Sequence, residues 1–235
     1  MSRDAVVLVA MDEEAAPFLA LADEVGEPQK VGFAERRDLR IGDLSILLVR
    51  TGIGIVNAAS AATAAALDSE TPTALISAGT AGGLGDGIVV ADVVVGEAYV
   101  LADADVRPFG YELGQVPGQP PRHDADEALL ASANDGAADL GIHVGLMITA
   151  DSFTTPERAN AALENFPGVL SADMETTAIA QVAHTHGVPF LSVRGISDLC
   201  DPVAAASFKS NAPEAARRSA EVVVAALKAR AAHRS

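Results

Sequence analysis

The sequence is short of several residue types, and each shortage narrows what the chain can do. One cysteine, Cys200, stands among 235 residues, which excludes an intramolecular disulfide framework and a cysteine-rich zinc site. Lysine and arginine number 16 against 32 aspartates and glutamates, for a formal charge of −16. A surface of that sign repels phosphate backbones and argues against a nucleic-acid partner. No run approaches the ~20 apolar residues of a membrane span. The first apolar run, Ala5 to Met11, follows Arg3 and meets Asp12, Glu13 and Glu14 at once. It lacks the longer apolar region and small-residue cleavage site of an export signal, so a cytoplasmic location is expected. Tryptophan is absent and aromatics make up only 4%, which makes the position of each ring informative.

What is present is a globular composition, with 49% hydrophobic residues, 20 glycines and 12 prolines. Continuous apolar runs at Ala5–Ala10, Leu44–Val49, Ala74–Ala78, Val93–Val95, Val144–Ile148 and Val188–Val193 read as strands covered on both faces. Helices are expected at Asp12–Ala22, Ile55–Leu67, from Pro156, at Asp173–His186 ending on Gly187, and at Pro213–Ala232. Strands alternating with helices give one α/β domain over residues 1–235, built on a mixed, mostly parallel sheet. The longest irregular stretch, Asp103–His123, contains four prolines and three glycines; a loop of that length in a compact domain serves a site or an interface.

The motifs are individually weak. Gly52-Ile53-Gly54 begins like a dinucleotide fingerprint but lacks the third glycine and the later acid, so a tight turn explains it better. Gly79-Thr80-Ala81-Gly82-Gly83-Leu84-Gly85 follows a buried strand and fits a structural turn and a sugar-binding loop equally. No lysine or arginine occurs between Arg50 and Arg107, so nothing local neutralises a phosphate. The acids of Asp12-Glu13-Glu14 and of Asp173-Met174-Glu175 are explained locally by helix capping and the macrodipole. Asp198 is more pointed, lying just past a buried strand, where α/β enzymes place their chemistry. His184 and His186, two apart on a helix, read as solvated, and Cys200 as a packing residue. Phe109, Tyr111, Phe153 and Phe208 are assigned to loops, where rings suit stacking on a base or closing an interface.

Nine short motifs in one order carry a resemblance. They are Ala10-Met11-Asp12-Glu13-Glu14, Thr51-Gly52-Ile53-Gly54, Gly79-Thr80-Ala81-Gly82-Gly83-Leu84, Asp103-Ala104-Asp105-Val106, Phe109-Gly110-Tyr111-Glu112, Gln115-Val116-Pro117-Gly118, Asp151-Ser152-Phe153, Asp173-Met174-Glu175 and Arg194-Gly195-Ile196-Ser197-Asp198. Together they resemble the 5′-methylthioadenosine/S-adenosylhomocysteine nucleosidases of the purine nucleoside phosphorylase-like superfamily. The resemblance implies a three-layer αβα fold with a twisted central sheet and hydrolysis of an N-glycosidic bond, with neither cofactor nor metal. It casts Asp198 as the acid that protonates adenine, Glu14 as the base that activates water, and Glu175 as the group holding the ribose hydroxyls. Arg194 and Thr80 would position water and hold the geometry. Met11, Ile53, Gly82, Phe153, Thr154, Asp173, Met174, Ser197 and Phe208 would complete the substrate site. A homodimer is also implied, with Val106, Phe109, Tyr111 and Pro117 lent to the neighbouring subunit's 5′-substituent pocket.

Ribosyl C–N cleavage passes through an oxocarbenium-like cation and expels a poor leaving group. It therefore needs a carboxyl kept protonated near neutral pH and negative charge near the sugar. The family usually has Glu where Asp173 stands, and commonly Ser at Thr80 and Ala at Gly195; these departures bear on substrate preference, since no catalytic carboxylate is lost. The alternatives are a futalosine hydrolase-like nucleosidase, a purine nucleoside phosphorylase, and a non-catalytic nucleoside-binding or storage protein on the same fold. Acids at Asp12-Glu13-Glu14 and the missing bases around the Gly-rich loop favour water over phosphate as nucleophile.

Overall fold

The structure, a computed structural model, describes residues 3–68 and 73–233. Its strands are β1 (Ala5–Val9), β2 (Glu24–Val25), β3 (Gln29–Val31), β4 (Ala34–Ile41), β5 (Leu44–Arg50), β6 (Leu75–Gly83), β7 (Val93–Leu101), β8 (His123–Asp124), β9 (Ile142–Thr149), β10 (Val169–Asp173) and β11 (Phe190–Asp198). The α-helices are α1 (Asp12–Leu21), α2 (Ile55–Ala66), α3 (Glu127–Gly136), α4 (Pro156–Asn165), α5 (Thr176–His186) and α6 (Ala204–Ala232). The strands form one mixed sheet in the order β10-β9-β7-β11-β6-β1-β5-β4-β2, with β3 beside β4 and β8 beside β7. From β10 to β5 every adjacent pair is parallel except β7–β11. Strand β10 also meets the end of β6, through Ser171–Gly83 and Ala172–Gly82, so this half of the sheet curls on itself.

Strand β1 shows why the apolar runs are continuous. Val7 and Val9 enter a core with Phe18 of α1, Leu129 of α3 and Leu227 of α6. Val6 and Leu8 enter a second core with Ala62 of α2 and Ile179 of α5. Helices therefore cover both faces, as the three-layer expectation required, and each buried Val or Leu contributes roughly 1.5–3 kcal/mol. The two cores sandwich the sheet. Among the described residues no helix is long and apolar enough to cross a membrane.

Two helix starts differ from expectation. Asp173 ends β10, and α5 begins at Thr176; Asp173 still caps the helix, accepting from the N–H groups of Glu175 and Thr176. Helix α6 begins at Ala204 and runs through Pro213, which removes one backbone donor, that to the Lys209 carbonyl, without ending the helix. Phe208 therefore lies on a helix and not in a loop. Strand β4 and helix α3 also went unanticipated. β4 is rich in charge and is held by its antiparallel register with β5, from Glu35–Arg50 to Ile41–Leu44. α3 is capped by the Asp126 carboxylate, which accepts from Leu129 N–H at 2.9 Å. Where α6 crosses β11 the backbones nearly touch: a β-carbon on Gly195 would lie 2.0 Å from the Ala215 carbonyl oxygen.

Candidate active site

The carboxyl ends of β1, β6, β10 and β11 converge, which is where open α/β sheets bind ligands. They surround a cavity of about 320 Å³ whose walls include Met11 and Glu14 after β1, Thr80 and Gly82 on β6, Asp173 to Glu175 after β10, and Ser197 and Asp198 on β11. Ile53, Phe153, Thr154 and Phe208 complete the set expected from the sequence. The volume is in the range of small-molecule sites.

Glu14 is the third residue of α1 and is buried. Its side chain bends back: Oε2 accepts from the N–H groups of Ala10 at 2.7 Å and Met11 at 3.2 Å. Oε1 accepts from the Thr80 N–H at 2.8 Å and the Thr80 hydroxyl at 2.9 Å. Macrodipole pairing alone does not account for this placement. Gly79 makes room for it, since a β-carbon there would sit 2.4 Å from Glu14 Oε1.

Glu175 stands at the N-cap of α5 but does not cap it. Its Oε1 accepts from Gly54 N–H at 2.9 Å, which gives the Gly52-Ile53-Gly54 turn a role in the site. Arg194 lies behind the cavity wall rather than on it, 1% exposed. Its guanidinium is 3.4 Å from Asp173 Oδ2 and 3.4 Å from Glu175 Oε2. It also donates to the hydroxyls of Ser77 and Thr176 and to the Thr80 carbonyl. Three buried acids, Glu14, Asp173 and Glu175, thus share one buried cation. Burial pushes the Glu175 carboxyl up to about 7, against the pull of Arg194; Asp173 and Glu14 push in the same direction as burial.

Asp198 occupies a different wall. A bulge at Ser197 shifts the β11–β6 register from Ile196–Ala81 to Asp198–Gly82. Its carboxylate accepts from the Ser197 hydroxyl at 3.0 Å and from Cys200 N–H at 3.1 Å. Burial raises its pKa above the usual carboxylate range, while these two donors and the Cys200 thiol pull it back. Gly82 opens the space before it, as a β-carbon would meet Cys200 Sγ at 2.4 Å. The carboxylates of residues 14 and 198 therefore face one shared cavity.

The four residues expected to be lent to a neighbouring subunit lie outside it. Val106, Phe109, Tyr111 and Pro117 lie between β7 and β8 and do not line the cavity; Phe109 is 81% exposed. His184 and His186 are exposed as expected. Cys200 packs, but it also lines the cavity, and burial together with Asp198 pushes its thiol up to about 12. Lys209, Ala205 and Ser152 also line it and were missed. So were the buried hydroxyls of Ser77, Thr176 and Ser192, for which serines inside apolar strand runs were the available signal. Among the described residues no cluster of His, Cys, Asp or Glu is arranged to hold a metal ion.

Residues 4–228 match the model of the phosphorylase superfamily. A 5′-methylthioadenosine/S-adenosylhomocysteine nucleosidase of Geobacillus thermodenitrificans is 38% identical over 227 residues, covering 95% of each chain. The nucleosidase of that name from Streptococcus pneumoniae, solved with a transition-state inhibitor, superposes with a TM-score of 0.90 at 36% identity, covering 96% of this chain and 98% of that one. The futalosine hydrolase of Helicobacter pylori superposes with a TM-score of 0.90 at 26% identity, covering 97% and 98%. With nearly its whole length matched in sequence and in backbone, the chain belongs to the phosphorylase superfamily and, within it, to the 5′-methylthioadenosine/S-adenosylhomocysteine nucleosidases.

Proposed function

We infer that this protein hydrolyses the N-glycosidic bond of 5′-methylthioadenosine and S-adenosylhomocysteine, and of 5′-deoxyadenosine as a third substrate. The products are adenine and the corresponding 5-substituted ribose. The observation that carries this reading is the convergence of Glu14 and Asp198 on one cavity whose buried ionisable groups are predominantly acids.

Adenine lies against Phe153 and the Thr154 backbone, with N7 at Asp198. Burial keeps the Asp198 carboxyl protonated further toward neutral pH than an ordinary aspartate. It gives that proton to N7 as the C1′–N9 bond breaks, and N9 leaves with the bonding pair. The positive charge left on the ribosyl ring faces Glu14, Asp173 and Glu175, acids that outnumber Arg194 and are held in position before the reaction begins. Glu175 holds the ribose hydroxyls and Met174 lies under the sugar. All four acceptor positions of Glu14 are filled. Three of its donors are backbone groups, so the rotatable Thr80 hydroxyl yields its place to the water. That water adds its oxygen to C1′ and passes its proton to Glu14. Arg194 is a positioning residue, holding Asp173 and Glu175 without touching the substrate. The outer wall is completed by a second copy of the chain, which lends Val106, Phe109, Tyr111 and Pro117; the exposed Phe109 ring is the mark of such a contact.

Incubation with methylthioadenosine, with and without phosphate, tests the reading. Free adenine and methylthioribose at a rate indifferent to phosphate are expected. Methylthioribose 1-phosphate would instead identify a phosphorylase, cleavage of futalosine alone a futalosine hydrolase, and binding without turnover a storage protein.

A further inference from the structure

The charged residues that line the cavity are acids, with one exception. Lys209 is the sole basic side chain on the wall among the described residues. It shares a face of α6 with Ala205 and Phe208, at spacings that bring i, i+3 and i+4 together, and all three line the cavity. The acids Glu14, Asp173, Glu175 and Asp198 are buried, whereas Lys209 is exposed. They form the floor and it stands at the rim. Its ammonium makes no ion pair among the described residues, although acids outnumber bases two to one in the chain.

From these observations we propose that Lys209 selects substrates whose 5′-thioether ends in a carboxylate. This rests on the reading of the site given above. With the base at Asp198 and the ribose at Glu175, the 5′ chain runs along the apolar side chains of Met11, Ile53 and Phe208 and emerges at the rim. A methyl group stops short of Lys209. A homocysteinyl tail carries an α-carboxylate outward, with an α-ammonium on the same carbon, to a rim where Lys209 is the one charge complementary to the carboxylate on this chain's own wall among the described residues. The contact is remote from the breaking bond and is the same in ground and transition states, so it acts on KM and not on kcat.

The test compares Lys209→Gln with wild type on methylthioadenosine, S-adenosylhomocysteine and 5′-(2-carboxyethyl)thioadenosine. Exposed ion pairs of this kind alter affinity by about 1.5- to 5-fold. The variant is expected to raise KM by about that factor for 5′-(2-carboxyethyl)thioadenosine and by less for S-adenosylhomocysteine, whose α-ammonium offsets part of the attraction, with kcat unchanged and methylthioadenosine unaffected. Lys209→Glu should exceed Lys209→Gln on the carboxyethyl substrate, and Lys209→Arg should restore wild-type behaviour. The difference should shrink as salt shortens the screening distance to ~3 Å near 1 M. Equal effects on all three substrates, or none, overturn the proposal. A wild-type protein that cleaves none of the three overturns the functional reading instead, so the two failures are distinguishable.

Discussion

The two sides of the cavity handle carboxylates in opposite ways. On the sugar side, Glu14 accepts four hydrogen bonds, three of them from backbone, and Oδ1 of Asp173 accepts three more. Arg194 is wedged behind them. On the base side, Asp198 has a neighbouring hydroxyl, a single backbone N–H and the weakly donating Cys200 thiol. The first arrangement fixes negative charge in position. The second leaves a carboxyl short of the donors that would keep it ionised, and so able to carry a proton. In the mechanism proposed above, the fixed charge would meet the transient cation and the less solvated acid would protonate the leaving group.

Substitutions should separate the two sides. The largest effect is expected from Asp198→Asn, which removes the proton donor: turnover should fall by at least ~10²–10⁴-fold with thermal stability unchanged, as steady-state rates and calorimetry would report. A stability loss as large as the activity loss would put Asp198 in the structural class with the sugar-side acids. Next comes Arg194→Gln, which leaves Asp173 and Glu175 buried without their cation. Denaturant unfolding should show a loss of about 3–5 kcal/mol; if stability is unchanged, Arg194 is not what neutralises them. Glu14→Gln should lower turnover by up to ~10²-fold and also cost about 1–3 kcal/mol, because an amide nitrogen cannot accept from the backbone donors around it.

The smallest effect concerns pH. The Glu175 carboxyl titrates near 7 in the folded protein against 4.5 ordinarily, so between those values the folded state holds the extra proton. Its contribution to stability is therefore greatest below pH 4.5, declines as pH rises toward 7, and levels off above. Glu175→Gln should flatten that slope, by on the order of 2–3 kcal/mol between pH 5 and 8. An unchanged slope would show that Glu175 remains ionised throughout.

The sheet's centre was legible because strands buried on both faces need continuous apolar runs, and β1, β5, β6 and β11 have them. β4 was not, since Glu35, Arg36, Arg37 and Asp38 hide a strand held by its partner's register. β10 was not, since Ser171 and Asp173 break its apolar run. In the site, motif order picked out side chains that the structure brings to one cavity, whereas local sequence alone did not. Glu14 reads as a helix-start acid until Thr80, 66 residues away, is brought to it. Glu175 likewise needs Gly54, 121 residues away. Lys209 stayed invisible because Pro213 suggested that the helix began after it.

Gly195 carries a consequence for the shape of what can bind. Helix α6 rests on β11 at a separation that a single methyl group would not tolerate, and the same helix carries Phe208 over the cavity. The ceiling of the chamber is thus set at a height available only to glycine. Where a relative has alanine at this point, its helix must stand further off, and a ligand shaped to that taller room will find less headroom in this one.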